Sequence, residues 1–317
     1  MIVNLLFSLV GALVQLAFVL LFAPLVQGFI KKIKARLQGR RGPVLLQQYY
    51  DIGKYLNKTE ILSEHSSWIT RVTPYLVFGC MAAAAMMLPL VGLSPLRSAD
   101  DIILLIYIFG LARVFTVLGG LDAGSAFGGM GSSREMMVSM LVEPGLLLVL
   151  FASALRAGST GLSGIVTHLS NGGISTITPS HLMCAFALFV LIIAETGRLP
   201  VDNPDTHLEL TMIHEGMLLE YSGRLLGLML WATSIKQLLF ISLFVNLFLP
   251  WGIATTADIS SLLVGGLVYI LKIGLVAVGL GVVEMLTPKM RLFRLPQFML
   301  TPFLVAFLGI ISDYVVR

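Results

Sequence analysis

LMCAFALFVLIIAETGRLPVDNPDTHLELTMIHEGMLLEYSGRLLGLML, Leu182 to Leu230, sets an acidic segment between two apolar runs. From Glu195 to Arg224 it holds six carboxylates: Glu195, Asp202, Asp205, Glu209, Glu215 and Glu220. Only Arg198 and Arg224 oppose them, so the segment is net −4 in a chain that is net +4. Pro200 and Pro204 exclude a regular helix in its first part. No proline interrupts Asp205 to Glu220, where Asp205 and Glu209 fall four residues apart on one helical face and repel each other. Two readings stand. The segment is a solvated loop, charged because loops are wet, or a partly buried acidic cluster with coupled, raised pKa values that carries protons.

Working outward, the apolar runs on either side recur along the chain. Of 317 residues 57% are hydrophobic and 12% charged, and the mean hydropathy is +0.92. Soluble domains average about 25% charged residues. The composition reads as an all-α, polytopic integral membrane protein, since no stretch alternates as barrel strands do. Eight runs reach span length: 3–30, 74–93, 102–118, 136–155, 182–194 with its flanks, 225–249, 261–283 and 298–316. About 20 residues cross the hydrocarbon core, so the fifth needs its polar flanks. The first has no basic leader and reads as a span rather than a cleaved signal. One transmembrane domain over 1–317 is expected, with cytoplasmic loops near 31–72, 119–135, 195–224 and 285–297.

Lysine and arginine orient this bundle. Of 21, fifteen fall in those four loops, three in the opposite loops and tail, and three within spans. The positive-inside rule places the four loops in the cytoplasm and both termini outside. The first loop, Lys31 to Arg71, is net +6 and includes Arg40, Arg41, Gly42 and Pro43. It suits anionic lipid, or a soluble partner docked beside its amphipathic stretch at Leu45–Leu56. Six glycines between Gly119 and Gly131 predict tight turns and close backbone approach. Without a following GK[ST] or a preceding strand they are no phosphate loop.

Arg113, Glu143, Lys236, Lys272 and Glu284 lie in or near spans. Each costs about 2.5–3.5 kcal/mol at a helix centre, so each needs a partner or a wet path. Lys236 and Glu284 are expected near span ends, within snorkelling reach. Lys272 and Glu143, the latter before Pro144, read as functional. Cys80 and Cys184 are single and distant, so the chain holds no iron–sulfur cluster of its own. His207 and His214 give no metal spacing, and no nucleophile or nucleic-acid motif occurs. No internal repeat is visible, unlike transporters built from duplicated halves. Redox chemistry would belong to other subunits.

ETGRLPVDNPDTHLEL followed by LEYSG resembles the fifth-to-sixth-span loop of the complex I membrane subunit that helps form the quinone chamber. The same loop is shared with its homologues in membrane-bound nickel–iron hydrogenases of the formate hydrogenlyase and energy-converting type. Glu195, Arg198, Pro200, Asp202, Pro204, Glu209, Leu210 and Glu220 to Gly223 match that pattern. So do Arg40, Gly42 and Pro43 in the first loop, Arg134 and Glu143 around the fourth span, and Lys272 in the seventh. The resemblance covers essentially the whole chain. Complex I subunits read ETNRPPFD where this chain carries Gly197, Leu199 and Val201. They usually have a glutamate at the place of His207 and an arginine at that of Glu284, and lack about three residues before Glu220. LDAGSAFGGMGSSRE is similar to the hydrogenase branch.

The resemblance therefore implies a non-catalytic membrane subunit of an ion-translocating oxidoreductase, in the cell membrane, with no metal or cofactor of its own. Its partners would be nickel–iron hydrogenase large and small subunits, iron–sulfur subunits and antiporter-like membrane subunits. The nickel–iron centre and the clusters would sit in those partners. Coupling would use Glu143, Glu195, Asp202, Asp205, Glu209, Glu215, Glu220, Lys236 and Lys272. Docking would use Arg40, Arg41, Gly42, Pro43, Arg134 and Arg198. The alternatives are a quinone-chamber subunit of a complex I-type enzyme, marked by bound quinone and a flavin partner, and a stand-alone ion transporter, marked by the absence of redox partners.

Overall fold

The computed structural model describes residues 2–92, 94–97, 99–202, 212–253 and 259–316. Among them the regular structure is helical. In chain order the helices are α1 (Ile2–Leu37), α2 (Gln47–Leu56), α3 (Trp68–Met87), α4 (Ile102–Asp122), α5 (Ala126–Ala157), α6 (Leu162–Gly172), α7 (Pro179–Glu195), α8 (His214–Leu218), α9 (Gly223–Phe248), α10 (Ile259–Leu286) and α11 (Leu295–Val316). Within the described residues seven are long and apolar enough to cross a membrane. The expected fifth span is α7, which is apolar but only 17 residues long. This is a multi-pass membrane protein. Its lipid-type surface shows on α10, where Leu263, Leu267, Leu271 and Leu275 are exposed, whereas α9 runs through the middle with Leu238, Leu239, Phe240 and Ile241 fully buried.

The helix starts are written locally. Ser67, Asp101, Ser125 and Thr178 cap α3, α4, α5 and α7 by accepting from backbone N–H groups of the first turn. Such caps satisfy donors that the helix itself leaves unpaired. Gly158 ends α5 in the left-handed conformation at φ 64°, which costs glycine nothing. Asp122 at the end of α4 accepts from Ser67 Oγ and Thr70 Oγ1, each at 2.6 Å, and from the Ser67 N–H at 2.8 Å. A carboxylate is thereby held against the positive N-terminal end of α3.

Contacts between elements separate the two ends of the bundle. At one end Ser222 Oγ donates to Ile61 O at 2.6 Å, Lys289 reaches Asp202, and Met290 N–H donates to Pro200 O. The segments after α2, α7, α8 and α10 meet there, and the end of α1 joins them through Lys34 and Glu284. At the other end Arg156, Thr178, Ser180 and Asp313 tie the end of α5 to the start of α7 and the end of α11. The 17 residues of α7 thus run from one end to the other.

Gly119–Glu135 departs from the expected turn-rich loop. It is helical except at Ala123, Gly124 and Ser125, and its glycines serve packing. A Cβ on Gly128 would lie 2.3 Å from the Gly120 carbonyl oxygen, and one on Gly131 2.9 Å from Ile213 O. Helices α4, α5 and α8 approach backbone to backbone, as small residues allow in membrane bundles. Gly128→Ala is expected to destabilise the protein by about 1–3 kcal/mol through overpacking. Gly129→Ala, with nothing within 4 Å of its Cβ, is expected to stabilise it by up to about 1 kcal/mol through helix propensity. Thermal unfolding of the two variants in detergent checks the opposite signs.

Candidate functional site

The site begins with a cation in an apolar helix. Arg113 sits mid-way along α4 and is 8% exposed, a position that is costly without partners. Three carboxylates supply them. Glu195, at the end of α7, receives Nη2, and Glu143 of α5 receives Nη1. Glu135, two turns earlier on α5, lies 3.8 Å from Nε. Lys236 of α9 places its ammonium 2.8 Å from the second Glu195 oxygen. Two cations therefore face three carboxylates within one cluster. The Glu195 carboxylate is 1% exposed and the Glu143 carboxylate 43%, which gives the cluster a dry end and a wet one.

A second set of pairs lies beside it, built on the turn after α7. Arg198 bonds Glu284 of α10, and Lys34 of α1 lies 3.6 Å from the same carboxylate. Asp202, 2% exposed, accepts from Lys289 at 2.9 Å and from the backbone N–H groups of Ile213 and His214 at 3.2 Å. Arg134 donates to Met212 O at 2.8 Å. These bonds hold α8 and its approach over the cluster. Tyr221, just beyond, is buried, and burial pushes its hydroxyl pKa up to about 12, so it stays neutral at physiological pH.

An aromatic layer closes the cluster toward the far end. Lys236 lies over the Phe240 ring at 5.9 Å, and Phe240 stacks on Phe109 with centroids 4.8 Å apart. Phe244 packs against Phe189 and Phe248 one and two turns on. Among the described residues, two small cavities adjoin the charges. One, about 10 Å³, is lined by Glu135, Glu195, Asp202 and His214. The other, about 30 Å³, is lined by Arg113, Glu135, Lys236, His214 and apolar side chains. Each suits one or two waters.

Of the residues singled out in the sequence, Glu143, Glu195 and Lys236 share the first cluster, and Asp202 and Arg198 the adjoining pairs. Glu215 is half-buried on α8, and Glu220 accepts from Ser125 Oγ. Arg40, Arg41, Gly42 and Pro43 are exposed. Asp205, His207 and Glu209 lie outside the described residues. The continuous helix expected from Asp205 to Glu220 does not form: Met212 and Ile213 are not helical, α8 has five residues, and Glu220 follows its end. Lys236 and Glu284 do not snorkel; each is paired with a buried partner. Lys272 lies apart, donating to Leu249 O and Trp251 O at the end of α9, where a cation satisfies helix carbonyls. Sequence reading passed over Glu135 and His214, which fell in segments read as loops. Arg113 was seen as an embedded charge, but its partners are 22 to 82 residues away. Among the described residues no group of His, Cys, Asp and Glu is placed to hold a metal ion.

Comparison with known proteins follows this architecture. The family described as "NADH dehydrogenase" matches residues 10–312. The chain belongs to that family. Within the NADH dehydrogenase family it is 39% identical over 313 residues to formate hydrogenlyase subunit 4 of Escherichia coli (strain K12), covering 98% of each chain. It is also 39% identical over 281 residues to hydrogenase-4 component C of the same organism, covering 88% of this chain and 87% of that one. The fold matches a chain in the structure of the membrane-bound sulfane sulfur reductase, an archaeal respiratory membrane complex. The TM-score is 0.83 at 22% identity, over 96% of this chain and 99% of that one. The resemblance read from the acidic segment, to complex I's membrane subunit and its hydrogenase branch, holds across the whole length.

Proposed function

We propose that this chain is the membrane-anchoring and coupling subunit of a multisubunit hydrogenase complex in the cell membrane. It docks nickel–iron hydrogenase and iron–sulfur subunits at the end where the segments after α2, α7, α8 and α10 meet. It links electron transfer there to H⁺ or Na⁺ movement, together with antiporter-like membrane partners. The observation that carries this reading is the buried cluster of Arg113, Lys236 and three carboxylates beneath that end. Such a cluster exchanges protons when nearby charge changes. The 39% identity to formate hydrogenlyase subunit 4 supports the choice of partner, and the exposed basic turn at Arg40–Pro43 supports the docking face.

The same face would be cytoplasmic, with both termini outside and α7 as an eighth crossing. The fifteen-to-three basic asymmetry and the end-to-end run of α7 support this. A quinone-chamber role is the alternative, and the 39% identity to formate hydrogenlyase subunit 4, against 26–30% to NADH-quinone oxidoreductase subunits H, favours the hydrogenase reading.

The test is purification by a tag on this chain after gentle detergent extraction. Stoichiometric nickel and iron in the purified complex are expected. Replacing both Arg40 and Arg41 by Glu is expected to strip the soluble subunits, and the nickel with them, while the chain still inserts. Flavin and quinone in place of nickel would overturn the assignment to a hydrogenase, and full nickel retention in the double reversal would overturn the docking face.

A further inference from the structure

His214 opens α8, and its place is fixed from several sides. Its backbone N–H donates to Asp202 Oδ2 at 3.2 Å. A Cβ on Gly197, which sits at φ +59°, would lie 3.7 Å from the His214 Cβ. The ring nitrogen Nε2 is shielded from solvent and has no hydrogen-bond partner among the described residues. Buried ring nitrogens are ordinarily paired with protein or water. The imidazole also lines both small cavities, and Glu135 is the other residue that does so. On one side of these two residues lie Glu195 and Asp202; on the other lie Arg113 and Lys236. Among the described residues, the charged groups that line the two cavities with it are Arg113 of α4, Glu135 of α5, Glu195 of α7, Asp202 of the following turn and Lys236 of α9, and Glu215 follows it on α8.

We propose that His214 is a proton relay between the two cavities. The proposal rests on the coupling role given above and deepens it by naming a group that lines both cavities beside the ion pairs of Glu195. The step is a pair of proton transfers with no electron change. A protonated Glu135, directly or through one water, gives its proton to Nε2, leaving a carboxylate and an imidazolium. The imidazolium then gives a proton, through water in the smaller cavity, to the carboxylate of Asp202 or Glu195, which restores the neutral ring. Imidazole suits the task because one ring nitrogen can accept a proton while the other gives one up. A relay of this kind differs from a packing residue because a free base can replace it.

The experiment uses the intact complex in sealed vesicles, with nickel content confirming assembly. It reads protons moved per hydrogen formed across pH 5.5 to 8.5. His214→Gln is expected to lower that ratio at least tenfold, since a positioned acid–base group contributes about 10²–10⁴-fold to proton transfer. In His214→Gly the ratio is expected to fall likewise and to recover several-fold on adding free imidazole, with a recovery profile that follows the pKa of the added base. A wild-type ratio in His214→Gln overturns the relay, and so does a His214→Gly loss that imidazole cannot relieve. If neither histidine variant assembles, Glu135→Gln is read instead: a lowered ratio supports the relay and a wild-type one overturns it. A wild-type complex that makes hydrogen but moves no protons overturns the coupling role itself, and the relay with it.

Discussion

Arg113→Met is expected to be the most destabilising single change in the bundle, by about 3–5 kcal/mol, the cost of removing one partner from a buried ion pair. Met fills most of the Arg113 volume, so the effect is electrostatic rather than a cavity. What remains is Glu195, 1% exposed, facing Lys236 alone, with Glu135 and Glu143 on the same side. Three carboxylates then share one ammonium, and the nearly dry Glu195 has lost its guanidinium partner. The protein must bind protons or water into a space that holds only a few solvent molecules. Two controls separate this from a general sensitivity of the helix. Arg113→Lys keeps the charge but loses the fork that reaches Glu143 and Glu195 together, so it should fall between wild type and Met. The double variant Arg113→Met with Glu195→Gln should recover part of the loss, because it removes the buried charge left unpaired. Thermal unfolding in detergent gives the ordering, and a Met variant as stable as wild type would show that the pairs carry no net energy.

The span pattern was legible because hydropathy is local. Every long helix found lies over a predicted run, and two of the boundaries that moved have a local cause: α4 reaches Asp122, whose carboxylate bonds the start of α3, and α5 begins at Ala126, where Ser125 caps it. The glycines from Gly119 to Gly131 misled because glycine marks both turns and close helix contacts. Only the partner backbone, Gly120 O or Ile213 O, distinguishes the two. The acidic segment was legible in part. The sequence left a solvated loop and a buried acidic cluster open; Glu195 and Asp202 are buried, and their partners Arg113, Lys236 and Lys289 come from α4, α9 and the turn after α10, long-range pairings that no spacing in the sequence encodes. Lys236 misled because α9 begins at Gly223 and carries it to mid-helix, within reach of α7. Lys272, read as functional from its mid-span charge, donates to carbonyls at the end of α9, a partner that no sequence spacing showed.

Glu195 is where the cluster, the acidic segment and the sealed side of the bundle meet, so the largest functional effect is expected there. Glu195→Gln keeps the shape, removes a titratable proton and leaves Arg113 and Lys236 facing a neutral amide. The aromatic pair Phe240 and Phe109 lies beyond Lys236 on the side of the bundle away from the acidic segment. The direct measurement is ion movement into sealed vesicles carrying the purified complex, recorded together with hydrogen formed from a reduced soluble donor. The wild-type complex is expected to move protons or sodium ions in proportion to hydrogen. The Glu195→Gln complex, with its nickel retained, is expected to lose at least nine-tenths of that movement per hydrogen, in line with the ~10²–10⁴-fold contribution of a positioned proton-transfer group. Undiminished ion movement per hydrogen in the Glu195→Gln complex would contradict the account and reduce the cluster to a structural pairing of buried charges.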